Sequence, residues 1–85
     1  MKKHEIKTLI EKVEKEFKVD LRQKTQLRLN FYLRCIIASK TDLHDTIVGE
    51  IFNRDRVTIM YSRKQFNELK KYLDFQDLIN KVENL

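Results

Sequence analysis

Asp55-Arg56-Val57-Thr58 is the run of side chains best equipped for chemistry in this 85-residue chain. A guanidinium can donate two parallel hydrogen bonds to guanine O6 and N7, and a carboxylate can accept one from a cytosine amino group. A branched aliphatic side chain can meet a thymine methyl, and a hydroxyl suits a phosphate. Plainer readings stand beside these. Asp55 is equally suited to capping a helix and orienting Arg56, and Val57 to packing inside. Cations flank the run. Arg54, Arg63 and Lys64 are candidates for phosphate contact, with Arg22, Lys24 and Arg28 beside them and Lys40 reaching the backbone from another side. Tyr61 is either a further phosphate contact or an aromatic at the edge of the core.

The remaining reactive residues suggest less. Cys35 is the only cysteine, so no internal disulfide forms, and its apolar neighbours point to burial. His4 and His44 are the only histidines and lie far apart in sequence. Asp42, His44 and Asp45 have no further ligands near them and read as loop surface rather than a metal site. Gly49 is the only glycine, which excludes a glycine-rich phosphate loop. No catalytic residue, cofactor or metal is expected.

The segment that positions the reading residues is predicted as two helices around a polar turn. A helix over residues 46–52 turns Ile47, Val48, Ile51 and Phe52 inward, and Gly49 permits close approach of the next helix. Asn53-Arg54 makes the turn, since Asn tolerates the left-handed conformation. A helix from Asp55 to about residue 72 buries Ile59, Phe66, Leu69 and Leu73. This is a helix-turn-helix over about residues 46–72. Upstream, Ile6, Leu9, Ile10, Val13 and Phe17 give a first helix one apolar stripe over residues 4–18. A second helix over residues 25–39 is apolar almost all round and so central, with Arg28 and Arg34 as its exits to solvent. A last helix over residues 75–83 offers Leu78, Ile79 and Val82. With no proline and one glycine, the expected fold is all-α, a small bundle of about five helices in one domain.

Composition agrees. The chain is 41% hydrophobic and 36% charged, which suits a folded helical domain. Its net charge of +5 is unevenly placed. Residues 22–71 hold eleven Lys or Arg against five Asp or Glu, so the cationic excess surrounds the reading motif. A polyanion is the economical partner. No apolar run reaches membrane-spanning length and the N-terminus lacks an apolar signal region, so no membrane partner and a cytoplasmic location are expected.

Val48-Gly49, Phe52, Arg54-Asp55, Thr58-Ile59 and the basic pair Arg63-Lys64 before Phe66 resemble the signature of the C-terminal DNA-binding domain of the bacterial replication initiator DnaA. Phe17-Lys18-Val19-Asp20-Leu21 is similar to that family's turn after its first helix. The resemblance covers about residues 5–82 and is specific over residues 48–66. It implies a helix-turn-helix bundle that reads the major groove of double-stranded DNA, in replication control or transcription regulation. It places Asp55, Arg56, Val57 and Thr58 at base-reading positions, and Arg28 near an arginine that enters the minor groove. The departures are specific. Arg56 stands for the family's histidine, Val57 for its first threonine, Asn53 for the turn glycine and Gln65 for a lysine. The ATP-binding module is absent, which implies a free-standing relative or an isolated domain. Useful affinity from so small a domain is expected to need a homodimer, repeated sites or a tethered protein partner. A protein-interaction module that kept the fold and lost DNA reading is the second expectation.

Overall fold

Ile6, Ile10 and Val13 recur at helical spacing, and all three are buried on one face of a fifteen-residue helix. That helix, α1 (Lys3–Phe17), is followed by α2 (Arg28–Ser39), α3 (Asp45–Phe52), α4 (Arg56–Leu69) and α5 (Leu73–Glu83). This computed structural model describes residues 1–23 and 27–85, and no strand occurs among them. The bundle measures 30 × 26 × 25 Å, and its all-helical class is the one expected from the sequence.

Local signals set the boundaries. The Lys2 backbone N–H donates to Glu5 Oε1 at 2.9 Å, satisfying one orphan donor at the start of α1. The helix ends where Lys18 takes a left-handed conformation, φ 56°. Val19 N–H then donates to the Glu14 carbonyl, and Leu21 N–H donates to the Glu14 carboxylate at 2.8 Å. This reversal delivers Leu21 into the core.

The centre of the bundle is α2. Leu33, Cys35, Ile36, Ile37 and Ala38 are all sealed from solvent, as an all-round apolar helix requires. Two expectations about it change. Arg34 is no exit to solvent: it is only 9% exposed, because α4 crosses α2 there and Ser62 meets its side chain. Leu27 and Leu29, at the start of α2, are exposed.

Helices α3 and α4 flank the turn formed by residues 53–55. Asn53 adopts the left-handed conformation expected of it, φ 58° and ψ 45°, and Arg54 N–H donates to the Gly49 carbonyl at 2.7 Å. Gly49 is required here by space. A Cβ on it would stand 2.6 Å from the Arg54 carbonyl oxygen. Gly49→Ala gains roughly 1 kcal/mol of helix propensity, yet forcing backbone apart costs typically 1–3 kcal/mol. We expect net destabilisation and a displaced α4, seen as a lower midpoint in chemical denaturation; an unchanged or higher midpoint would show that the turn yields freely.

Helix α4 ends at Leu69, earlier than expected, and α5 starts at Leu73. Gln76 Nε2 donates to the Lys70 carbonyl and Tyr72 N–H to the Leu69 carbonyl, closing a tight reversal between the two. This reversal corrects the expectation for Leu73. It begins α5 on the outer side, 78% exposed, and Phe75 takes the core position instead. The Phe75 ring meets Tyr32 edge-on at 5.2 Å and Phe66 at 5.7 Å, geometries favoured by the ring quadrupoles.

Candidate nucleic-acid interface

Asp55 is the N-cap of α4. Its Oδ1 accepts from the Thr58 backbone N–H and from the Thr58 hydroxyl, both at 2.8 Å. The capping role open to Asp55 is therefore filled, and the Thr58 proton points at Asp55 rather than outward. The cap fixes the first turn of α4, from which Arg56 and Val57 project. Val57 is 62% exposed and does not pack inside. The Arg56 guanidinium is exposed and rests on the Met60 sulfur at 3.7 Å.

One turn further along the same face lie Met60, Tyr61 and Lys64, all exposed. The spacing 57, 60, 61, 64 is that of one helix stripe, so α4 presents apolar and aromatic atoms edged by cations. Tyr61 packs its ring against Phe31 at 6.0 Å and is 55% exposed. It belongs to the outer surface more than to the core edge.

The turn is tied to the chain before α2. Arg54 Nη2 donates to the Gln23 carbonyl at 2.8 Å, which brings the Arg22 segment beside the start of α4. Arg22 and Arg28, the first residue of α2, are exposed. Lys24, a further candidate for phosphate contact, lies outside the described residues.

Two candidates are committed elsewhere. Arg63 was expected to meet phosphate, yet it sits at one helical turn from both Ile59 and Phe66 and so turns inward with them. Its Nε donates to the Ala38 carbonyl at 3.1 Å, and its Nη2 donates to the carbonyls of Thr41 and Leu43 at 2.9 Å each. Its Nη1 pairs with Asp45 at 2.5 Å. Arg63 thus ties α4 to the α2–α3 connection, and the sequence offered no sign of these partners. Lys40 pairs with Glu83 at 2.6 Å, joining the C-terminal ends of α2 and α5. It stands twelve residues beyond Arg28, roughly 18 Å along the helix, away from the first turn of α4. The same contact holds the Glu83 carboxyl below its ordinary range, through the hydrogen bond and charge of Lys40.

The loop histidine also has a local task. His44 caps α3, its Nδ1 accepting from Thr46 N–H at 3.1 Å. Among the described residues no group of three metal-ligating side chains forms. Cys35 is fully buried, and burial pushes its thiol up to about 12. The thiol should therefore resist alkylation in the folded protein at mildly alkaline pH and react once denaturant is added. Because the raised value favours the protonated form, its contribution to stability is lost as pH climbs from the ordinary thiol range through about 12. Labelling of the native protein as fast as a free thiol would contradict this.

Among the described residues no helix is long and apolar enough to cross a membrane. Comparison with family models, curated proteins and solved structures gives no match. The functional reading therefore rests on the residues themselves and on the arrangement of α3, the turn and α4.

Proposed function

We propose that this protein binds double-stranded DNA and reads the major groove with the first turn of α4, in control of replication or transcription. The observation that carries this reading is the outward projection of Arg56 and Val57 from a turn fixed by the Asp55 cap. A capped helix start with an exposed guanidinium can approach base edges with little rearrangement. Arg56 is the candidate for guanine, Val57 for a thymine methyl, and Arg22, Arg28, Arg54 and Lys64 for phosphates. On this reading Asp55 acts mainly by positioning its neighbour. The chain is then a free-standing or excised relative of the DNA-binding domain of DnaA, with altered base preference because Arg56 and Val57 replace the residues of that family's pattern.

Selection of bound sequences from a random duplex pool tests the reading. Enrichment of a short motif containing guanine is expected. A pool that stays unenriched would remove base reading from the account.

A second reading is favoured by one feature. Val57, Met60 and Tyr61 expose apolar surface on a single helix face, which would also suit a protein partner. A protein-interaction module of this kind would bind DNA weakly, and its affinity for its partner would depend little on salt.

A further inference from the structure

Among the described residues Arg34 is the buried charged side chain, and it has no ion pair. Its side chain lies in the α2–α4 crossing, 9% exposed. Nε donates to Ser62 Oγ at 3.2 Å, and Ser62 in turn donates to the Thr58 carbonyl at 2.8 Å. The guanidinium carbon sits 5.4 Å from the centre of the Phe31 ring. Three ion pairs form among the described residues, and Arg34 is in none of them. Its terminal nitrogens carry four donors and have no hydrogen-bond partner among the described residues.

Among the described residues Asn30 Oδ1 is the one buried side-chain nitrogen or oxygen without a partner, so the Arg34 terminal nitrogens still touch solvent. The partial desolvation of a guanidinium without a counter-charge is nonetheless costly. The ring face recovers a part of that cost and Ser62 another. The nearest influence makes matters worse: burial, and then the positive charge of Arg54, pull Arg34 below the usual arginine range. A like charge acting on Arg34 in this way is what an oxyanion relieves.

We propose that the Arg34 guanidinium, held by Ser62 and the Phe31 ring, is a recessed receptor for one phosphoryl group. The rigid fork matches two phosphoryl oxygens, and Arg54 adds charge from the turn. Asn30, one helical turn before Arg34, is not part of the receptor. Its Oδ1 is buried without a partner, and an amide oxygen repels an oxyanion. The phosphoryl group has two sources, free phosphate and a phosphate of the DNA backbone. In the second case the proposal deepens the DNA reading: the α2–α4 crossing would then grip the strand beside the groove that Arg56 reads.

The test uses the full chain, inorganic phosphate as probe and chloride at matched ionic strength as reference. For wild type, phosphate near ten times its Kd should raise Tm by roughly 5–10 °C, and the rise should grow with the logarithm of phosphate concentration. Arg34→Met should abolish that rise and stay folded in chloride, since an apolar side chain of similar length keeps the packing of the α2–α4 crossing. Arg34→Lys should keep a reduced rise. In nitrogen-15 spectra of the wild-type protein, the Arg34 Nε–H resonance should move on phosphate addition, a readout that needs no variant. Equal Tm rises in wild type and Arg34→Met, or no wild-type response, would overturn the proposal. Duplex DNA separates the sources. If the DNA backbone supplies the group, Arg34→Met makes the slope of log affinity against log salt shallower by about one. An unchanged slope with the phosphate response intact assigns the site to free phosphate. Failure of duplex binding with the phosphate response intact removes the DNA reading and leaves the receptor. Duplex binding without any phosphate response does the reverse.

Discussion

Arg63→Ala is expected to lower stability by about 2–4 kcal/mol, a shift in Tm of roughly 10–25 °C for a domain of this size. One side chain satisfies the carbonyls of Ala38, Thr41 and Leu43 and the carboxylate of Asp45. Those acceptors lie at the end of α2, in the loop after it and at the start of α3. Truncation leaves all of them without their donor and uncouples α4 from the α2–α3 connection. Arg63→Lys should recover a minority of the loss, because a single ammonium lacks the fork that reaches several directions at once. Asp45→Asn should cost less than Arg63→Ala, since the three carbonyl contacts survive. Chemical denaturation of the three variants checks the order. A loss for Arg63→Ala no larger than for Asp45→Asn would show that the carbonyl contacts contribute little.

Arg56→Ala carries the second large effect. The side chain is exposed and has one weak contact, with the Met60 sulfur, so stability should change little, as for most surface substitutions. Affinity for a selected duplex should fall by about 5- to 150-fold, corresponding to 1–3 kcal/mol. The loss should be greater on the selected site than on a duplex whose guanine is replaced. Equal losses on both would make Arg56 a phosphate contact and move base reading to Val57 and its neighbours. Unchanged affinity on both would exclude Arg56 from the interface.

Much of this architecture was legible in the sequence because local periodicity governs it. The apolar stripe of the first helix, the all-round apolar second helix and the Asn53 turn each have a short-range cause, and each appears where expected. The errors share a different cause. Arg63 and Lys64 are adjacent and alike in charge, yet about 100° apart around α4, so one enters the fold and the other faces solvent. Helical spacing from Ile59 to Arg63 to Phe66 carried a hint of this. The carbonyls that receive Arg63 lie twenty or more residues away, beyond any local pattern. Arg34 was misread for the same reason. A charged residue in an apolar helix usually marks the solvent face, and its burial here depends on where α4 crosses. Leu73 shows the converse, an apolar residue left outside by a reversal that ends α4 early. At the start of α4, the residue type of Asp55 left capping and base contact both open, and the two 2.8 Å hydrogen bonds from Thr58 show that it caps the helix.

The central claim, that a cationic helix start engages duplex DNA, is tested most directly by measuring affinity for duplex DNA across a series of salt concentrations. With Arg22, Arg28, Arg54 and Lys64 on phosphates, the plot of log affinity against log salt should be linear with a slope of about −3 to −4. A slope near zero, or no binding at low salt, would contradict the account and leave the exposed face of α4 to a protein partner.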